Sequence, residues 1–179
     1  MAIYLNAAQI ELVNTTVSDN VNTTSYGSLH VVGNASYPPT VTLENTVLAN
    51  STNPSTPVEC SSNYSLVVNA TASWVESFDA GLSCFNGGPV PATITQGDPK
   101  LTSLQSFGST KVHRANFDSG LLGAADTAIC AAAPVNGLDQ VGATRGVASC
   151  TIGAAELPVS DDAFFVIPIG ANKSVTFSL

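Results

Sequence analysis

The chain has 179 residues, enough for one domain or for one domain with a small appendage. Hydrophobic residues make up 44% of it and charged residues only 10%, so it can bury a core and must owe its solubility to Asn, Thr, Ser and Gly. The net charge of -8, with five Lys and Arg residues, argues against nucleic acid as a partner, because phosphate contacts need cations.

Good helix formers are scarce and β-branched Val and Thr are abundant, which favours short strands over long helices. No apolar run approaches the length of about 18 residues that a membrane-spanning helix needs, so no membrane span is predicted. Residues 1–13 have neither a basic nor a long apolar stretch and do not predict a signal peptide. A polar, charge-poor surface is nevertheless typical of exported proteins, and we therefore predict that the chain is a segment of a longer precursor.

Residues 10–20 and 41–51 repeat one pattern. Both contain an apolar residue followed by an Asn-Thr pair: Leu12, Asn14 and Thr15 in the first stretch match Leu43, Asn45 and Thr46 in the second. We predict short strands stacked in register, with Asn14, Thr15, Asn45 and Thr46 forming a hydrogen-bonded ladder. Such stacking is typical of a parallel β-helix, in which each layer buries its apolar side against its neighbours.

The remaining chain predicts further short strands and three parts. Strands are expected at residues 3–5, 28–32 and 65–69, joined by loops rich in Asn, Ser, Thr, Gly and Pro. The three parts are stacked strands in residues 1–97, an irregular closing region in 98–158, and a β-hairpin in 159–179. A short helical turn is expected within 121–133, and the hairpin strands at 163–169 and 174–179.

The four cysteines are Cys60, Cys84, Cys130 and Cys150. None belongs to a CxxC motif or to a Cys/His cluster, so no metal site is predicted. Near neighbours meet most easily, which favours the pairs Cys60–Cys84 and Cys130–Cys150, with free buried thiols as the alternative. Disulfides place a protein outside the reducing cytosol.

Catalysis needs groups that the predicted strands lack. A polysaccharide lyase uses clustered carboxylates and an Arg or Lys base, and a glycoside hydrolase uses two carboxylates about 5–10 Å apart. The strand regions contain only four carboxylates, those of Glu11, Asp19, Glu44 and Glu59. The sequence has no Lys or Arg before Lys100. We therefore predict no catalytic residue, no cofactor and no metal.

Two histidines and one ion pair are interpreted as structural. His30 alternates with apolar residues of a strand, and His113 follows the stacked strands, both without a second ligand at metal spacing. Asp139 and Arg145 are predicted to form an ion pair that ties the terminal loop together.

Aromatic residues leave one alternative open. Trp74 lies near the Cys84 bridge and is predicted to cover an end or flank of the core. The alternative is contact with a glycan, in which Tyr37 and Tyr64 would take part.

Residues 150–156, CTIGAAE, follow the motif LDQVG at 138–142 and the pair Arg145-Gly146. Together they resemble the closing signature of bacterial choice-of-anchor β-helix proteins. These are surface or secreted right-handed parallel β-helices, related in style to polymorphic outer-membrane proteins. Further matching stretches are residues 14–20, 98–101, His113 and 125–129. The resemblance implies a Cys130–Cys150 bridge and implies no enzyme activity.

The sequence therefore predicts an all-β fold, a right-handed parallel β-helix with an irregular disulfide-tied end and a C-terminal β-hairpin. The function expected from it is that of a secreted or cell-surface structural module, non-catalytic, for adhesion, display or extracellular assembly. Expected partners are copies of itself, upstream coils of a longer precursor, or surface glycans. The alternatives are a carbohydrate-binding or polysaccharide-cleaving domain, and a subunit of an extracellular fibre assembled by strand addition.

Overall fold

The computed structural model describes residues 3–6, 9–23, 27–34, 36, 38–52, 59–63, 66–78, 84–85 and 89–157. The predicted C-terminal hairpin, Tyr37 and Tyr64 lie outside these residues. Among them are twelve strands and one short helix. The strands are β1 (Ile3–Asn6), β2 (Gln9–Val13), β3 (Thr16–Ser18), β4 (Leu29–Val32), β5 (Thr40–Glu44), β6 (Val47–Ala49), β7 (Cys60–Ser62), β8 (Val67–Thr71), β9 (Ser73–Val75), β10 (Ile94–Gln96), β11 (Gln105–Phe107) and β12 (Thr110–Val112). The helix is α1 (Thr127–Ala131).

The first nine strands are distributed over three sheets. Within each sheet, a strand pairs in parallel with the strand three positions later in the chain. The first sheet has the order β1-β4-β7, the second β2-β5-β8, and the third β10-β9-β6-β3. In the second sheet Leu12 lies opposite Leu43, and in the third Val17 lies opposite Leu48. The prediction that residues 10–20 and 41–51 stack with like residue beside like is confirmed.

The turns from the second sheet to the third need left-handed backbone. Asn14, Asn45 and Ala72 occupy equivalent positions there, with φ angles of 43°, 47° and 41°. Asn tolerates this conformation better than most residues because its short polar side chain makes local hydrogen bonds. The repeated Asn thus has a backbone reason as well as a side-chain reason to be there.

Two apolar clusters lie on opposite faces of the third sheet. The inner cluster joins all three sheets and includes Leu29, Val41, Leu43 and Leu48, each at most 1% exposed. The outer cluster packs β6 against residues 98–157 and includes Val47, Ala49, Ala115, Leu121 and Ile152. Because successive strand residues point to opposite faces, β6 is buried on both sides and reads as an unbroken apolar run.

Residues 98–157 form an ordered layer against the third sheet. Here β11 and β12 pair antiparallel across a turn in which Gly108 has a φ of 57°. Helix α1 is capped at its N-terminus by Asp126, whose carboxylate accepts hydrogen bonds from the amides of Ala128 and Ile129. The helical turn predicted within 121–133 is confirmed.

Both predicted disulfides are present. The Cα atoms of Cys60 and Cys84 are 5.3 Å apart, and those of Cys130 and Cys150 are 6.8 Å apart. The first bridge begins at β7, and the second joins α1 to the segment that covers the outer face of β6. A native disulfide of this kind stabilises a domain by about 2–5 kcal/mol.

The predicted fold class is wrong. The protein is a mostly β structure of several small sheets, parallel and antiparallel, and the described residues include a short helix. It is not an all-β right-handed parallel β-helix with an irregular end. A repeated Asn-Thr pattern specifies which short strands are neighbours, but not how many sheets they form or what packs outside them.

Candidate functional site

The Asn45 side chain connects the sheets to the closing region, here residues 98–157. Asn45 is fully buried. Its Nδ2 donates to Oδ1 of Asn14 at 3.1 Å and to the carbonyl of Asp126 at 2.9 Å. Its Oδ1 accepts from the amide of Asp126 at 2.8 Å. The side-chain amide of Asn45 thus makes one hydrogen bond to Asn14 in the neighbouring turn and two to Asp126, the residue that caps α1.

Asn14 lies between Asn45, the second disulfide and Arg145. Its Nδ2 is 3.3 Å from Sγ of Cys130. Nη1 of Arg145 lies 3.1 Å from the position of this Nδ2. Rotating the amide of Asn14 by half a turn would place its oxygen there, where it accepts from Arg145, and would place its nitrogen beside Asn45. We call Asn14 and Asn45 the Asn ladder.

Thr15 and Thr46 are not part of the ladder. The hydroxyl of Thr46 donates to the carbonyls of Leu12 and Glu44, at 2.8 Å and 3.0 Å. The hydroxyl of Thr15 donates to the carbonyl of Val13 at 2.9 Å. Both hydroxyls bond main chain because the left-handed turn brings the carbonyl two residues back within reach.

The predicted ion pair between Asp139 and Arg145 is wrong. Arg145 pairs with Glu156, whose Oε1 lies 2.9 Å from Nη1, and both side chains are buried. The guanidinium also donates to the carbonyls of Leu138, Thr151 and Gly153.

The carboxylate of Asp139 is hydrogen-bonded to main-chain amides and not to Arg145. Its carboxylate accepts hydrogen bonds from the amides of Val141, Ala143 and Glu156. Burial lowers the pKa of Arg145, and the negative charges of Glu156 and Asp139 act in the opposite direction. The hydrogen bonds and the ion pair of Arg145 therefore hold together the loop from Leu138 to Glu156.

Four acidic residues line one cleft beside the third sheet, which we call the acidic cleft. Asp19, Asn50 and Glu76 directly follow β3, β6 and β9. Because the strands are parallel, their carboxyl ends meet at one edge. The cleft has a volume of about 580 Å³ and is lined by Asp19, Asn50, Ser51, Thr52, Glu59, Glu76, Ser77 and Asp98.

Glu59 is the buried carboxylate of the acidic cleft, with 1% of its surface exposed. It accepts hydrogen bonds from the hydroxyl of Ser28 at 2.6 Å and from the amide of Ser51 at 2.7 Å. The two serine hydroxyls also contact each other. Burial raises the pKa of Glu59, the hydrogen bonds lower it, and the charge of Glu76 adds a small further rise.

The Glu59 carboxyl makes stability depend on pH. Because its pKa in the folded protein is raised above the ordinary value of 4.5, its contribution is complete below that value and is lost as pH rises through the folded pKa. We expect Glu59→Gln, which mimics the protonated form, to raise the midpoint of thermal unfolding by a few degrees at neutral pH.

The measurement is thermal unfolding at several pH values from about 4 to 8. The gain should shrink as pH falls towards 4.5. Glu11→Gln, at an exposed position of β2, is the matched control and should leave the pH dependence unchanged. A lower midpoint of thermal unfolding at neutral pH in Glu59→Gln than in the parent protein would contradict the account.

Neither histidine is placed as a metal ligand. His30 is buried, its Nδ1 lies 2.8 Å from the Ser61 hydroxyl, and burial lowers its pKa. Nδ1 of His113 lies 3.0 Å from the carbonyl of Thr102, and its Nε2 lies 3.7 Å from Asp19. In the described ranges, no group of three or more His, Cys, Asp or Glu residues is arranged to hold a metal ion.

Trp74 is partly buried and packs against the outer cluster. Its ring covers the outer cluster, and a Cβ atom built on Gly120 would lie 2.8 Å from the ring. Its Nε1 donates to the carbonyl of Gly97 at 2.6 Å. The indole N–H, the usual polar handle for a ligand, is thus used within the chain.

The sequence analysis missed Glu156, Ser28 and Asp126 as partners in these clusters. Asp126 had a readable signal, because Asp before a short helical run is a preferred N-cap. Glu156 and Ser28 had none, since their partners are brought near only by the tertiary fold.

Comparison with protein families, with characterised proteins and with solved structures found no match. Among the described residues, no helix has the length and apolar character needed to cross a membrane.

Proposed function

We propose that the protein is a secreted or cell-surface structural module that serves adhesion, display or extracellular assembly and has no catalytic role. The observation that carries this proposal is the use of its buried polar groups. Asn45, Glu59, Asp139, Arg145 and Glu156 are all bonded to other parts of the chain at the joints between its layers. A group saturated in this way stabilises a fold but is not free to contact a substrate.

Two further features support the proposal. The two disulfides suit an oxidising compartment, and a surface of few charges suits a protein outside the cell. The resemblance of residues 150–156 to the closing signature of bacterial choice-of-anchor proteins points in the same direction. In this chain, Glu156 of that stretch forms an ion pair with Arg145, which precedes it in the sequence.

The acidic cleft favours a second candidate function, a carbohydrate-binding or polysaccharide-cleaving domain. Glu59 and Glu76 accept from the consecutive amides of Ser51 and Asn50, which brings two carboxylates close together. Paired carboxylates are the working groups of glycoside hydrolases. Against this, Glu59 is buried and has two hydrogen-bond donors, so only Asp19, Glu76 and Asp98 are left to meet a sugar.

A polysaccharide panel separates the two functions. The intact protein is incubated with neutral and acidic polysaccharides, with and without Ca²⁺, and bound sugar and new chain ends are measured. We expect no new chain ends. Cleavage that falls about tenfold or more in the double variant Glu76→Gln, Asp98→Asn would replace the structural proposal by the catalytic one. The matched control is Glu44→Gln, which lies outside the acidic cleft.

Light scattering over a range of concentrations tests the fibre alternative. A display module keeps a constant mass, whereas a subunit assembled by strand addition grows with concentration. A mass that rises with protein concentration while both disulfides are intact would favour the fibre alternative.

A further inference from the structure

Arg114 is a buried arginine without an ionic partner in the part of the chain that the structure describes. Only 9% of its surface is exposed. None of the ion pairs in the described ranges includes it, and its buried Nε has no hydrogen-bond partner there. Buried charges are normally paired, because an ionised group held away from water without a partner costs free energy. Arg145, the other arginine of the sequence, follows this rule through Glu156.

The ring of Phe107 holds the guanidinium of Arg114. Cζ of Arg114 lies 3.7 Å from the centroid of that ring, in a cation–π contact. A guanidinium carries its N–H donors around its edge, so an aromatic ring against its face leaves these donors available to oxygen atoms. Their spacing matches the two oxygens of a carboxylate. The group is thus oriented for an anion that the described residues do not supply.

Main-chain hydrogen bonds fix the position of Arg114. Its amide donates to the hydroxyl of Thr102 at 3.0 Å, and the amide of Thr102 donates to the carbonyl of Arg114 at 2.7 Å. Strand β12 ends two residues before Arg114 and pairs with β11, which contains Phe107. Because both members of the stacked pair are anchored in this way, an anion bound there would cost less in ordering than one bound by a mobile surface side chain.

The segment around Arg114 is positively charged in an otherwise acidic chain. Residues 99–117 contain no Asp or Glu but contain three of the five Lys and Arg residues, namely Lys100, Lys111 and Arg114, although the net charge of the chain is -8. A local positive potential attracts an anion that the rest of the surface repels. The charge pattern of the sequence thus agrees with the unpaired guanidinium.

The exposed groups beside Phe107 are mostly uncharged and form hydrogen bonds. Gln105 lies two residues before Phe107, on the same face of β11, and its side chain is exposed, as is that of Ser103. In residues 102–110 the one large exposed apolar side chain is that of Leu104. Amide and hydroxyl groups suit the hydroxyls of a sugar, whereas a docked peptide needs an apolar centre. A sugar that carries a carboxylate suits both kinds of group.

We propose that Arg114, held against Phe107, binds the carboxylate of a uronic acid residue in an acidic polysaccharide. Gln105 and Ser103 are the neighbours that meet the hydroxyls of the sugar. None of these four residues lines the acidic cleft, so the site is separate from it. The site goes beyond the structural role proposed above and does not depend on it.

Calorimetric titration of the intact, oxidised protein with an oligomer of galacturonic acid tests the proposal. EDTA in the buffer keeps Ca²⁺ from linking the sugar to acidic groups of the protein. The methyl ester of the same oligomer is the matched ligand, because it lacks only the charge. We expect the acid to bind about tenfold more tightly than the ester, or more, since hydrogen bonds between charged groups are the strong ones.

Two variants assign the binding to Arg114. Arg114→Gln should weaken binding of the acid by about tenfold or more, because it removes the charge and the fork of donors. Lys111→Gln is the matched control: it removes an equal charge from the same segment, but Lys111 pairs with Ser106 on the face opposite to Phe107. It should change the affinity by less than about twofold.

Nuclear magnetic resonance of the parent protein gives a readout that needs no variant. The sequence contains two arginines, Arg114 and Arg145. Nε of Arg145 donates to the carbonyl of Leu138 and serves as the internal reference. The galacturonic acid oligomer should shift the Nε–H signal of Arg114 and leave that of Arg145 in place.

Each contrary result overturns the proposal. These results are no binding of the acid, equal binding of the ester, equal losses in Arg114→Gln and Lys111→Gln, or an unshifted Arg114 signal. Tighter binding of a glutamic acid oligomer of the same length also overturns it, because the ligand is then an acidic peptide. If Arg114→Gln does not fold, Arg114→Lys replaces it, since it keeps the charge but not the fork, and a loss of affinity is again required.

Discussion

Replacing Asn45 with Gly is expected to lower the free energy of unfolding by about 3 kcal/mol. The side chain makes three hydrogen bonds to nitrogen and oxygen atoms and a longer one, 3.5 Å, to Sγ of Cys130, in a fully buried position. Its removal leaves the amide and carbonyl of Asp126 without these partners. Gly keeps the left-handed backbone, where Asn45 has a φ of 47°, so the loss measures the side chain and not backbone strain. Chemical denaturation of the oxidised protein provides the measurement.

Asn50→Gly is the matched control for this substitution. Asn50 follows the next strand, β6, has a φ of 56°, and makes one long side-chain hydrogen bond, 3.3 Å to the hydroxyl of Ser18. Its loss should cost less than about 1 kcal/mol. Equal effects of the two substitutions would mean that the Asn ladder has no special part in stability.

Replacing Arg145 with Met is expected to cost about 3–5 kcal/mol, because the carboxylate of Glu156 would be left buried without its cation. Three carbonyls also lose a donor: those of Leu138, Thr151 and Gly153. The same substitution in an exposed pair, Lys100→Met opposite Asp118, should cost far less, since water screens that pair.

A double-mutant cycle identifies the partner of Arg145. We expect Arg145→Met and Glu156→Gln to be non-additive by about 1–3 kcal/mol, as contacting groups are. The combination of Arg145→Met with Asp139→Asn should show a smaller coupling, because Asp139 acts through main-chain amides. A larger coupling to Asp139 than to Glu156 would restore the ion pair predicted from the sequence.

The local pairing of strands was predictable from the sequence, and the layers around them were not. The shared Leu-x-Asn-Thr pattern placed Leu12 beside Leu43, because a strand that slips by one residue turns its apolar side chains outward. The same pattern could not reveal that Val47 faces a second apolar cluster built from residues 98–157. The fold class was wrong for this reason.

Strands without an apolar alternation were missed. The segment at β7 was interpreted as loop because it ends a stretch rich in turn-forming Asn, Ser, Thr and Pro, yet it pairs in parallel with β4. Its strand conformation comes from its neighbour and from the Cys84 bridge, which act only in the folded chain. Sequence spacing predicted both disulfides, since each joins cysteines that are near neighbours along the chain.

The candidate sites divide in the same way. The ladder between Asn14 and Asn45 was predictable because both residues follow strands in register. The partner of Arg145 was not, because sequence proximity favoured Asp139 while the three amides that surround Asp139 already satisfy its carboxylate. Glu59 was counted among the carboxylates of the strands, but its burial depends on Ser28 and Ser51 from other layers.

Native-state hydrogen exchange most directly tests whether the Asn ladder joins the closing region to the sheets as one unit. The amide of Asp126, bonded to Oδ1 of Asn45, should open with the same free energy as the amides of Val41 and Leu43, within about 1 kcal/mol. In Asn45→Gly the amide of Asp126 loses its acceptor, so the amide of Cys130, bonded to the carbonyl of Asp126, reports on the closing region instead, and its opening free energy should fall together with those of Val41 and Leu43. Exchange of Asp126 through a much cheaper opening, with Val41 and Leu43 still fully protected, would show that the closing region comes away by itself and would contradict the account.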